Sequence, residues 1–169
     1  MKTLTLYHFT AAEMLRGIGL HGLTVGDVPT DINKLRGLIG VWFTTSPEPS
    51  NHGLEESALD KRRYRLTVEL PAEMPNLHRW TEWSKRFVKP ETVSILHSVA
   101  TGWDTWYIVL GIVRPDTIVA CHDTRTGELV PNWRDVSTNM SDDMAVPPWR
   151  RQAWQKRMLK DVRKALSKR

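Results

Sequence analysis

One run of alternating residues constrains the fold of this chain more than any other feature. Residues 64–70 place an apolar side chain at every second position, with arginine, threonine and glutamate between them, and Pro71 follows directly. Alternation with a period of two predicts a β-strand that is buried on one face and wetter on the other. Proline donates no backbone hydrogen bond, so we expect the strand to end there.

Four further segments are rich in β-branched, aromatic or other apolar residues, and we expect a strand in each: residues 4–9, 41–45, 106–113 and 117–121. The last two are the most apolar, and we expect them to be neighbouring core strands. Residues 22–40 are interrupted by glycines and Pro29, which favours a loop that wraps over a pocket. The pattern predicts about five strands in all.

Helical patterns lie between these strands. Thr10 and Glu13 have the spacing of a capping box, and we expect a short helix there that the glycines at positions 17 and 19 end. A second helix is expected from Pro90 to about residue 99. After two prolines at 147 and 148, apolar residues recur at 154, 158, 162 and 166, which predicts an amphipathic helix. The fold class is therefore α+β.

The charge of the chain is concentrated at its C-terminal end. The 169 residues carry 24 basic and 19 acidic side chains, a net charge of +5, and residues 149–169 hold nine of the basic ones and one of the acidic ones. That segment has a net charge of +8, which leaves −3 for the rest. A solvated helix face and contact with DNA or RNA explain this excess equally well. The candidate nucleic-acid contacts are Arg150, Arg151, Lys156, Arg157, Lys160, Arg163 and Lys164.

Composition excludes several classes of protein. Cys121 is the single cysteine, which excludes an internal disulfide and a multi-cysteine zinc site and suits a reducing compartment. The six histidines include no pair at helical spacing, so we expect no metal site. No apolar run approaches the roughly 20 residues of a membrane span, and residues 1–10 lack the apolar centre of a signal peptide. We therefore expect a cytoplasmic protein that does not enter a membrane.

Several short motifs occur in an order that resembles a known family. Residues 6–10 read Leu-Tyr-His-Phe-Thr and precede a short helix, residues 18–20 read Ile-Gly-Leu, and residues 41–46 read Val-Trp-Phe-Thr-Thr-Ser. The apolar run 106–118 comes last. This order resembles ADP-ribosyltransferase-like domains, and most of all their histidine-first branch, which includes DNA-targeting ADP-ribosyltransferase toxins and, more distantly, RNA 2′-phosphotransferases. The resemblance covers residues 4–120 or so.

The resemblance implies a split, mixed β core in which two small sheets enclose a cleft that binds NAD as a substrate. It implies that His8 hydrogen-bonds the ribose or nicotinamide end of NAD, as the family's first-strand histidine does. Trp42 or Phe43 would stack on the nicotinamide, and at most one of them can face the cleft because adjacent strand residues point in opposite directions. The other NAD-binding positions implied are Tyr7, Thr10, Thr44, Thr45 and Ser46. Residues 1–146 would form this domain, with residues 147–169 as a basic helix that packs on it or extends from it.

The family also places an acid, usually glutamate, at or just before a late strand. A carboxylate is needed there because positive charge develops at the anomeric carbon as nicotinamide leaves. This chain has no glutamate at that position, and Asp104, one methylene shorter, is the nearest replacement. A solvated turn aspartate is the competing interpretation.

Three functions remain open at this point. The first is NAD-dependent ADP-ribosyl transfer to a protein or nucleic-acid target, with His8 and Asp104 as catalytic residues. The second is a catalytically inactive domain of the same fold that binds a nucleic acid or a protein, which the missing glutamate favours. The third is a two-histidine phosphoesterase, because the chain contains two His-x-Thr motifs at residues 8–10 and 122–124, although the second motif has the composition of a turn.

The eight tryptophans leave a further alternative open. They could form an aromatic platform for a base or for nicotinamide, or they could pack in the core, as most buried tryptophans do. The four nearest to the proposed cleft segments are Trp80, Trp83, Trp103 and Trp106.

Overall fold

The structure is a computed structural model that describes residues 1–55, 57–138 and 145–168. The described residues contain eight strands and four α-helices. The strands are β1 (Thr3–Thr10), β2 (Asp27–Asp31), β3 (Arg36–Ile39), β4 (Val41–Thr44), β5 (Tyr64–Pro71), β6 (Leu77–Arg79), β7 (Trp106–Val109) and β8 (Ile118–Asp123). The helices are α1 (Ala12–His21), α2 (Trp80–Phe87), α3 (Pro90–Val99) and α4 (Arg151–Leu166). The α+β prediction is confirmed.

Six of the strands form one antiparallel sheet in the order β6-β7-β4-β1-β5-β8, and β2 and β3 form a separate hairpin. Within the large sheet the pairing is uneven. Strands β1 and β5 pair along eight positions, from Thr3 opposite Pro71 to Thr10 opposite Tyr64. Strands β1 and β4 pair at one position, Tyr7 opposite Thr44. The sheet therefore consists of two three-stranded halves that share a single residue pair, which is the form that the expected split core takes.

Two groups of buried apolar side chains hold the fold together. The first apolar cluster is mostly aliphatic and includes Leu6, Leu15, Ile18, Leu66, Val68, Leu70 and Val109. The second apolar cluster is mostly aromatic and includes Val28, Trp80, Trp83, Trp106 and Ile108, with Trp42 and Trp103 packed against it. Burial of these side chains supplies the main favourable free energy of folding.

The loop predicted for residues 22–40 is wrong, because this segment forms the β2–β3 hairpin. Val28 is fully buried in the second apolar cluster and holds the hairpin against the large sheet. The glycines here serve close backbone approach and not chain reversal: the Gly40 amide donates to the Gly26 carbonyl at 3.0 Å, and a Cβ on Gly26 would lie 2.2 Å from the Gly40 oxygen. Glycine content therefore misled the prediction at this hairpin.

Helix α1 also departs from the prediction at both ends. Its N-cap is Ala11, and no side chain caps it, because Thr10 is the buried last residue of β1. The helix runs through Gly17, where a Cβ would lie 2.3 Å from the Ala145 Cβ, so this glycine permits tight packing. The helix ends at Gly22, whose φ of 78° is a conformation that glycine adopts readily.

Strands β7 and β8 were expected to be neighbours, and they are not. Strand β7 pairs with β4 and β6 in one half of the sheet, whereas β8 pairs with β5 at the far edge of the other half. A short turn at Pro115–Thr117 leads into β8, so the chain passes from one half to the other between two apolar strands. Hydrophobicity predicted both strands correctly but carries no information about their partners.

Helix α4 confirms the amphipathic helix predicted at the C-terminal end. Its side chains at 154, 158 and 162 are half-buried, and two hydrogen bonds anchor it: Arg151 Nε donates to the Thr24 carbonyl at 2.7 Å, and Gln155 Nε2 donates to the Gly37 carbonyl at 3.1 Å. The boundary at residue 146 stays a prediction. None of the helices in the described residues has the length and apolar character needed to cross a membrane.

Candidate functional site

A cavity of about 290 Å³ lies where the two halves of the large sheet separate. Residues 7–9 of β1 and residues 42–44 of β4 border it on either side of the gap. The hairpin contributes Asp27 and Pro29, and the remaining walls come from residues 52–54, from α3 and from β7. Apolar and aromatic side chains make up most of the lining, which is typical of small-molecule sites.

His8, the predicted catalytic histidine, borders the cavity. Its Nδ1 lies 2.8 Å from the Trp42 carbonyl oxygen. Because a carbonyl oxygen can only accept, Nδ1 carries the hydrogen and donates it. Burial lowers the pKa of His8, the hydrogen bond to Trp42 opposes that shift, and the nearby charge of Lys61 adds to it. His8 is therefore neutral near pH 7, with an unprotonated Nε2 that can accept a hydrogen bond from a ligand hydroxyl or amide.

Trp42 and Phe43 both border the cavity. They are adjacent residues of β4, so their side chains lie on opposite faces of that strand. The Trp42 indole packs in the second apolar cluster, and its Nε1 donates to the Asp27 carbonyl at 2.7 Å. Phe43 belongs to the first apolar cluster and meets the His8 ring edge-on at 5.8 Å. Which of the two rings would stack on nicotinamide stays a prediction.

The hydroxyl side chains divide between the cavity and the surrounding structure. Thr44 borders the cavity, and its Oγ1 forms a 2.6 Å hydrogen bond with Thr105 Oγ1 and accepts one from the Ser46 amide at 3.0 Å. Thr10, Thr45 and Ser46 do not line the cavity. Thr45 is exposed and Thr10 is buried at the end of β1.

Tyr7, a predicted NAD-binding position, borders the cavity. The Arg65 guanidinium lies over its ring, 5.3 Å from the ring centroid, and Arg65 NH1 donates to the Pro47 carbonyl at 3.0 Å. A positive charge therefore lies against one of the aromatic walls, although Arg65 itself does not line the cavity.

Sequence reasoning missed two polar residues at the cavity, His52 and Asp27. Trp106 Nε1 donates to His52 Nδ1 at 3.0 Å, so the His52 hydrogen is on Nε2, which lies 3.1 Å from the Glu48 carbonyl and donates to it. Burial lowers the pKa of His52, and the hydrogen bond to Glu48 opposes that shift. Neither residue belongs to a motif, and Asp27 lies in the segment predicted to be a loop, so no local signal marked them.

Asp104, the predicted catalytic acid, lies elsewhere. It is exposed in the short turn Trp103–Thr105 that leads into β7, and it does not line the cavity. The structure thus brings His8 to the cavity and leaves Asp104 at the surface. Cys121 is buried in the first apolar cluster, and burial raises the pKa of its thiol to about 12, so it remains protonated and unreactive.

The four tryptophans proposed as an aromatic platform are mostly core residues. Trp80 and Trp83 are buried, and Trp103 stacks on His97 with ring centroids 4.1 Å apart. Trp106 borders the cavity, but the other three do not. Packing in the second apolar cluster therefore explains most of the tryptophan content.

The two His-x-Thr motifs do not converge on one site. His8 on β1 is opposite Leu66 on β5, whereas His122 on β8 is opposite Arg65. Because adjacent residues of a strand point to opposite faces, the two histidines lie on opposite faces of the sheet. A phosphate cannot be gripped by both, so the geometry needed for a two-histidine phosphoesterase is absent from the described residues.

The candidate nucleic-acid contacts lie along the surface of α4 and the turn before it. Arg151 is half-buried and bonded to the Thr24 carbonyl. The other six are exposed and make no ion pair with another described residue: Arg150, Lys156, Arg157, Lys160, Arg163 and Lys164. Helix α4 meets the hairpin through Gly37, which is opposite Pro29 on β2, and Pro29 borders the cavity.

Within the described part of the chain, no three histidine, cysteine, aspartate or glutamate side chains are close enough to hold a metal ion. No family model matches the chain, and no curated protein does. One similar solved structure is titled EcPltA. The match covers 75% of this chain and 81% of the EcPltA chain, with a TM-score of 0.44 and 13% identical residues. This distant structural neighbour does not assign the chain to a family.

Proposed function

We propose that this protein binds NAD in the cavity between β1 and β4 and transfers its ADP-ribosyl group to a macromolecular target. The observation that carries the proposal is His8: a neutral histidine with a free Nε2, held by the Trp42 carbonyl at the edge of an aromatic cavity. A free imidazole acceptor beside apolar walls suits the hydroxyls of a ribose and the flat face of nicotinamide. The order of short motifs along residues 4–120 supports the same function.

The size of the cavity suits one end of the dinucleotide. At about 290 Å³ it is at the lower limit of the pockets that hold drug-sized ligands, so we expect it to hold nicotinamide and its ribose. The adenosine half would extend beyond it. In the reaction, the bond from ribose C1′ to the nicotinamide nitrogen breaks, and both of its electrons leave with nicotinamide. A hydroxyl, amine or amide of the target then forms the new bond to C1′ and loses a proton.

Calorimetric titration with NAD tests the binding step. We expect His8→Ala to weaken NAD binding at least tenfold or so, since it removes the free acceptor at the cavity. His122→Ala is the matched control, because it changes a strand histidine that lies outside the cavity, and it should bind NAD like the wild type.

Release of nicotinamide from labelled NAD tests the chemical step. The proposal fails if the wild type neither binds NAD nor releases nicotinamide.

A second candidate function follows from α4. The exposed position of Asp104 and the six exposed basic side chains favour a domain that binds a nucleic-acid backbone and performs no transfer. In that case the affinity for a random DNA duplex should fall steeply as the salt concentration rises. A plot of the logarithm of the binding constant against the logarithm of the salt concentration should have a slope of about −0.9 for each phosphate contacted.

Charge variants of the full chain measure how much α4 contributes to this salt dependence. Lys156→Gln with Lys160→Gln should reduce the logarithmic salt slope by about 2. Lys85→Gln with Arg86→Gln, two exposed basic residues of α2, is the matched control and should leave the slope unchanged. Equal effects of both pairs of substitutions, or no binding to DNA or RNA, would contradict a nucleic-acid function for α4. The partner of this surface would then be a protein, or the surface would have no partner.

A further inference from the structure

A second cavity lies between the end of α1 and the turn that leads into α4. Its volume is about 270 Å³, and none of its described lining residues borders the cavity between β1 and β4. Helix α1 lines it with Gly17, Leu20 and His21, and the chain before α4 lines it with Ala145, Pro147, Trp149 and Arg150. The described lining thus includes an arginine and a histidine but no acid. We expect such a cavity to favour a flat or apolar group that belongs to a negatively charged ligand.

An exposed tryptophan forms one wall of this second cavity. Trp149 is 76% exposed, whereas tryptophan is highly buried on average. His21 meets it edge-on, with ring centroids 5.5 Å apart and an angle of 87° between the ring planes. The contact with His21 orients the indole, and most of its remaining surface is open to a ligand that stacks on aromatic rings.

The backbone around the second cavity is fixed by the fold. A Cβ on Gly17 would lie 2.3 Å from the Ala145 Cβ, so the chain before α4 packs directly on α1. Thr24 bonds the chain on both sides of the turn: its hydroxyl donates to the Val146 carbonyl at 2.5 Å, and its carbonyl accepts from Arg151 Nε at 2.7 Å. Two prolines, at 147 and 148, restrict the backbone between these contacts. The cavity is therefore preformed, as small-molecule sites usually are.

A row of basic side chains starts at the second cavity and follows α4. Arg150 lines the cavity, and three more basic residues follow it along the helix: Arg157, Lys160 and Lys164. These residues are separated by seven, three and four positions, and residues at such intervals lie on the same face of a helix. All four side chains are exposed, and none forms an ion pair with another described residue. The second cavity thus lies at one end of a stripe of positive charge.

The composition of this surface favours a nucleic acid over a protein as its partner. Lysine is depleted at protein–protein interfaces, yet Lys160 and Lys164 form half of the basic row. Proteins that bind single-stranded DNA or RNA combine a positively charged groove with aromatic side chains on which bases stack. A duplex keeps its bases stacked inside and offers this surface only phosphates, whereas an unpaired strand offers phosphates and a base. The basic row together with Trp149 therefore matches a single strand.

We propose that the second cavity binds an unpaired base of a DNA or RNA strand, with the base stacked on Trp149 and the neighbouring phosphates bound by Arg150 and the basic row. This inference rests on the nucleic-acid function proposed above for α4, and it adds a site that prefers single strands to duplexes. Phosphate contacts release counterions and so weaken as the salt concentration rises, whereas stacking on an aromatic ring neutralises no phosphate. Loss of the stacking contact should therefore lower the affinity without changing the logarithmic salt slope.

Binding of the full chain to labelled oligothymidylate, oligouridylate and a DNA duplex of equal length, measured by fluorescence anisotropy across salt concentrations, tests the proposal. We expect the wild type to bind one of the single strands at least about fivefold more tightly than the duplex. Trp149→Ala should weaken single-strand binding by about 5- to 100-fold, change duplex binding by less than about twofold, and keep the salt slope. Trp149→Phe should retain most of the single-strand affinity, because it keeps an aromatic ring. The two single strands distinguish DNA from RNA.

Phe87→Ala is the matched control. Phe87 is also an exposed aromatic residue beside an arginine, with the Arg86 guanidinium 5.4 Å from its ring centroid, but it lies on α2 and lines neither cavity. The variant should bind single strands like the wild type. Equal thermal midpoints of all these variants would exclude misfolding as the cause of any loss.

Three results would overturn the base-binding site while leaving α4 as a phosphate-binding surface. They are equal affinity of the wild type for strand and duplex, a Trp149→Ala variant that keeps its single-strand affinity, and a Trp149→Ala variant that loses affinity for strand and duplex alike. A wild type that binds none of the oligonucleotides refutes the nucleic-acid function as well.

Discussion

The two apolar clusters of this protein are built from different chemistry. The first apolar cluster consists mostly of leucine, valine and isoleucine side chains, which pack without needing polar partners. The second apolar cluster depends on tryptophans, and three of their indole nitrogens donate to defined acceptors: Trp42 to the Asp27 carbonyl, Trp80 to His97 Nε2 and Trp106 to His52 Nδ1. The cavity lies mainly against the second cluster. Aliphatic packing thus stabilises the fold in general, whereas hydrogen-bonded tryptophans fix the geometry of one site.

The largest effect is expected in the first cluster. Leu15→Ala removes a fully buried side chain of α1, and we expect the free energy of unfolding to fall by about 2–5 kcal/mol. Leu20→Ala, in the same helix but 70% exposed, is the control and should change it by less than about 0.5 kcal/mol. Urea titration measures both. A small effect of Leu15→Ala would mean that the aliphatic cluster is not the main stabilising region.

A smaller loss is expected in the second cluster, together with a change at the site. Trp106→Phe keeps an aromatic ring but leaves His52 Nδ1 without its donor, which should cost about 1–3 kcal/mol. Because His52 borders the cavity, NAD affinity should fall as well. Trp149→Phe changes a tryptophan that is 76% exposed and serves as the control for both measurements. Unchanged NAD affinity in Trp106→Phe would mean that the hydrogen bonds of the second cluster do not determine the geometry of the site.

Three histidines, two of them bonded to tryptophans of the second cluster, should make the stability depend on pH. Burial lowers the pKa values of His8, His52 and His97 in the folded protein. As the pH falls below about 6.5, the unfolded chain therefore binds protons that the folded protein does not bind. The free energy of unfolding is thus highest above that pH and falls as the pH is lowered below it.

Urea unfolding between pH 7.5 and 5 should accordingly show a falling free energy of unfolding. His97→Gln should make the decline shallower, because one of the three groups is removed. Leu15→Ala should lower the whole curve without changing its slope, since it removes no group that titrates in this range. An equal slope in all three proteins would contradict the assignment of pH sensitivity to the buried histidines.

The smallest expected effect is a gain in stability. The pKa of Asp27 is raised in the folded state, so its contribution to stability is favourable at low pH and is lost as the pH rises through the folded pKa. Asp27→Asn should therefore raise Tm by about 1–3 °C at pH 7, with the difference vanishing below about pH 4. Asp31→Asn should show no such gain. A lower Tm for Asp27→Asn would mean that the carboxylate has a structural role.

Local patterns in the sequence predicted most of the regular structure. Alternation predicted β5, and proline with a following acid predicted α3 from Pro90 to residue 99, because both signals depend on neighbours along the chain. The hairpin at residues 27–39 was missed because Gly26 and Gly40, which flank it, permit close backbone contact with each other, and such contacts are made in three dimensions. The same limit explains why β7 and β8 were expected to pair.

The residues that border the cavity were predicted in part for the same reason. His8, Tyr7, Trp42, Phe43 and Thr44 lie on two strands with clear patterns, and all five border the cavity. Asp27 and His52 reach it from a hairpin and from a segment without regular structure, so their positions depend on Trp42 and Trp106 far away in the sequence. The acid was sought next to a late strand, at Asp104, which the structure places in an exposed turn.

The single pair that joins β1 to β4 has a mechanical consequence. Pulling β1 away from β5 breaks eight residue pairs in parallel, whereas pulling it away from β4 breaks the Tyr7–Thr44 pair and the His8–Trp42 hydrogen bond. Under an applied force, the sheet should therefore part first along the line of the cavity. The two three-stranded halves would behave as stiff plates joined at one point, and side-chain packing, more than backbone pairing, would determine the width of the gap in which a ligand is held.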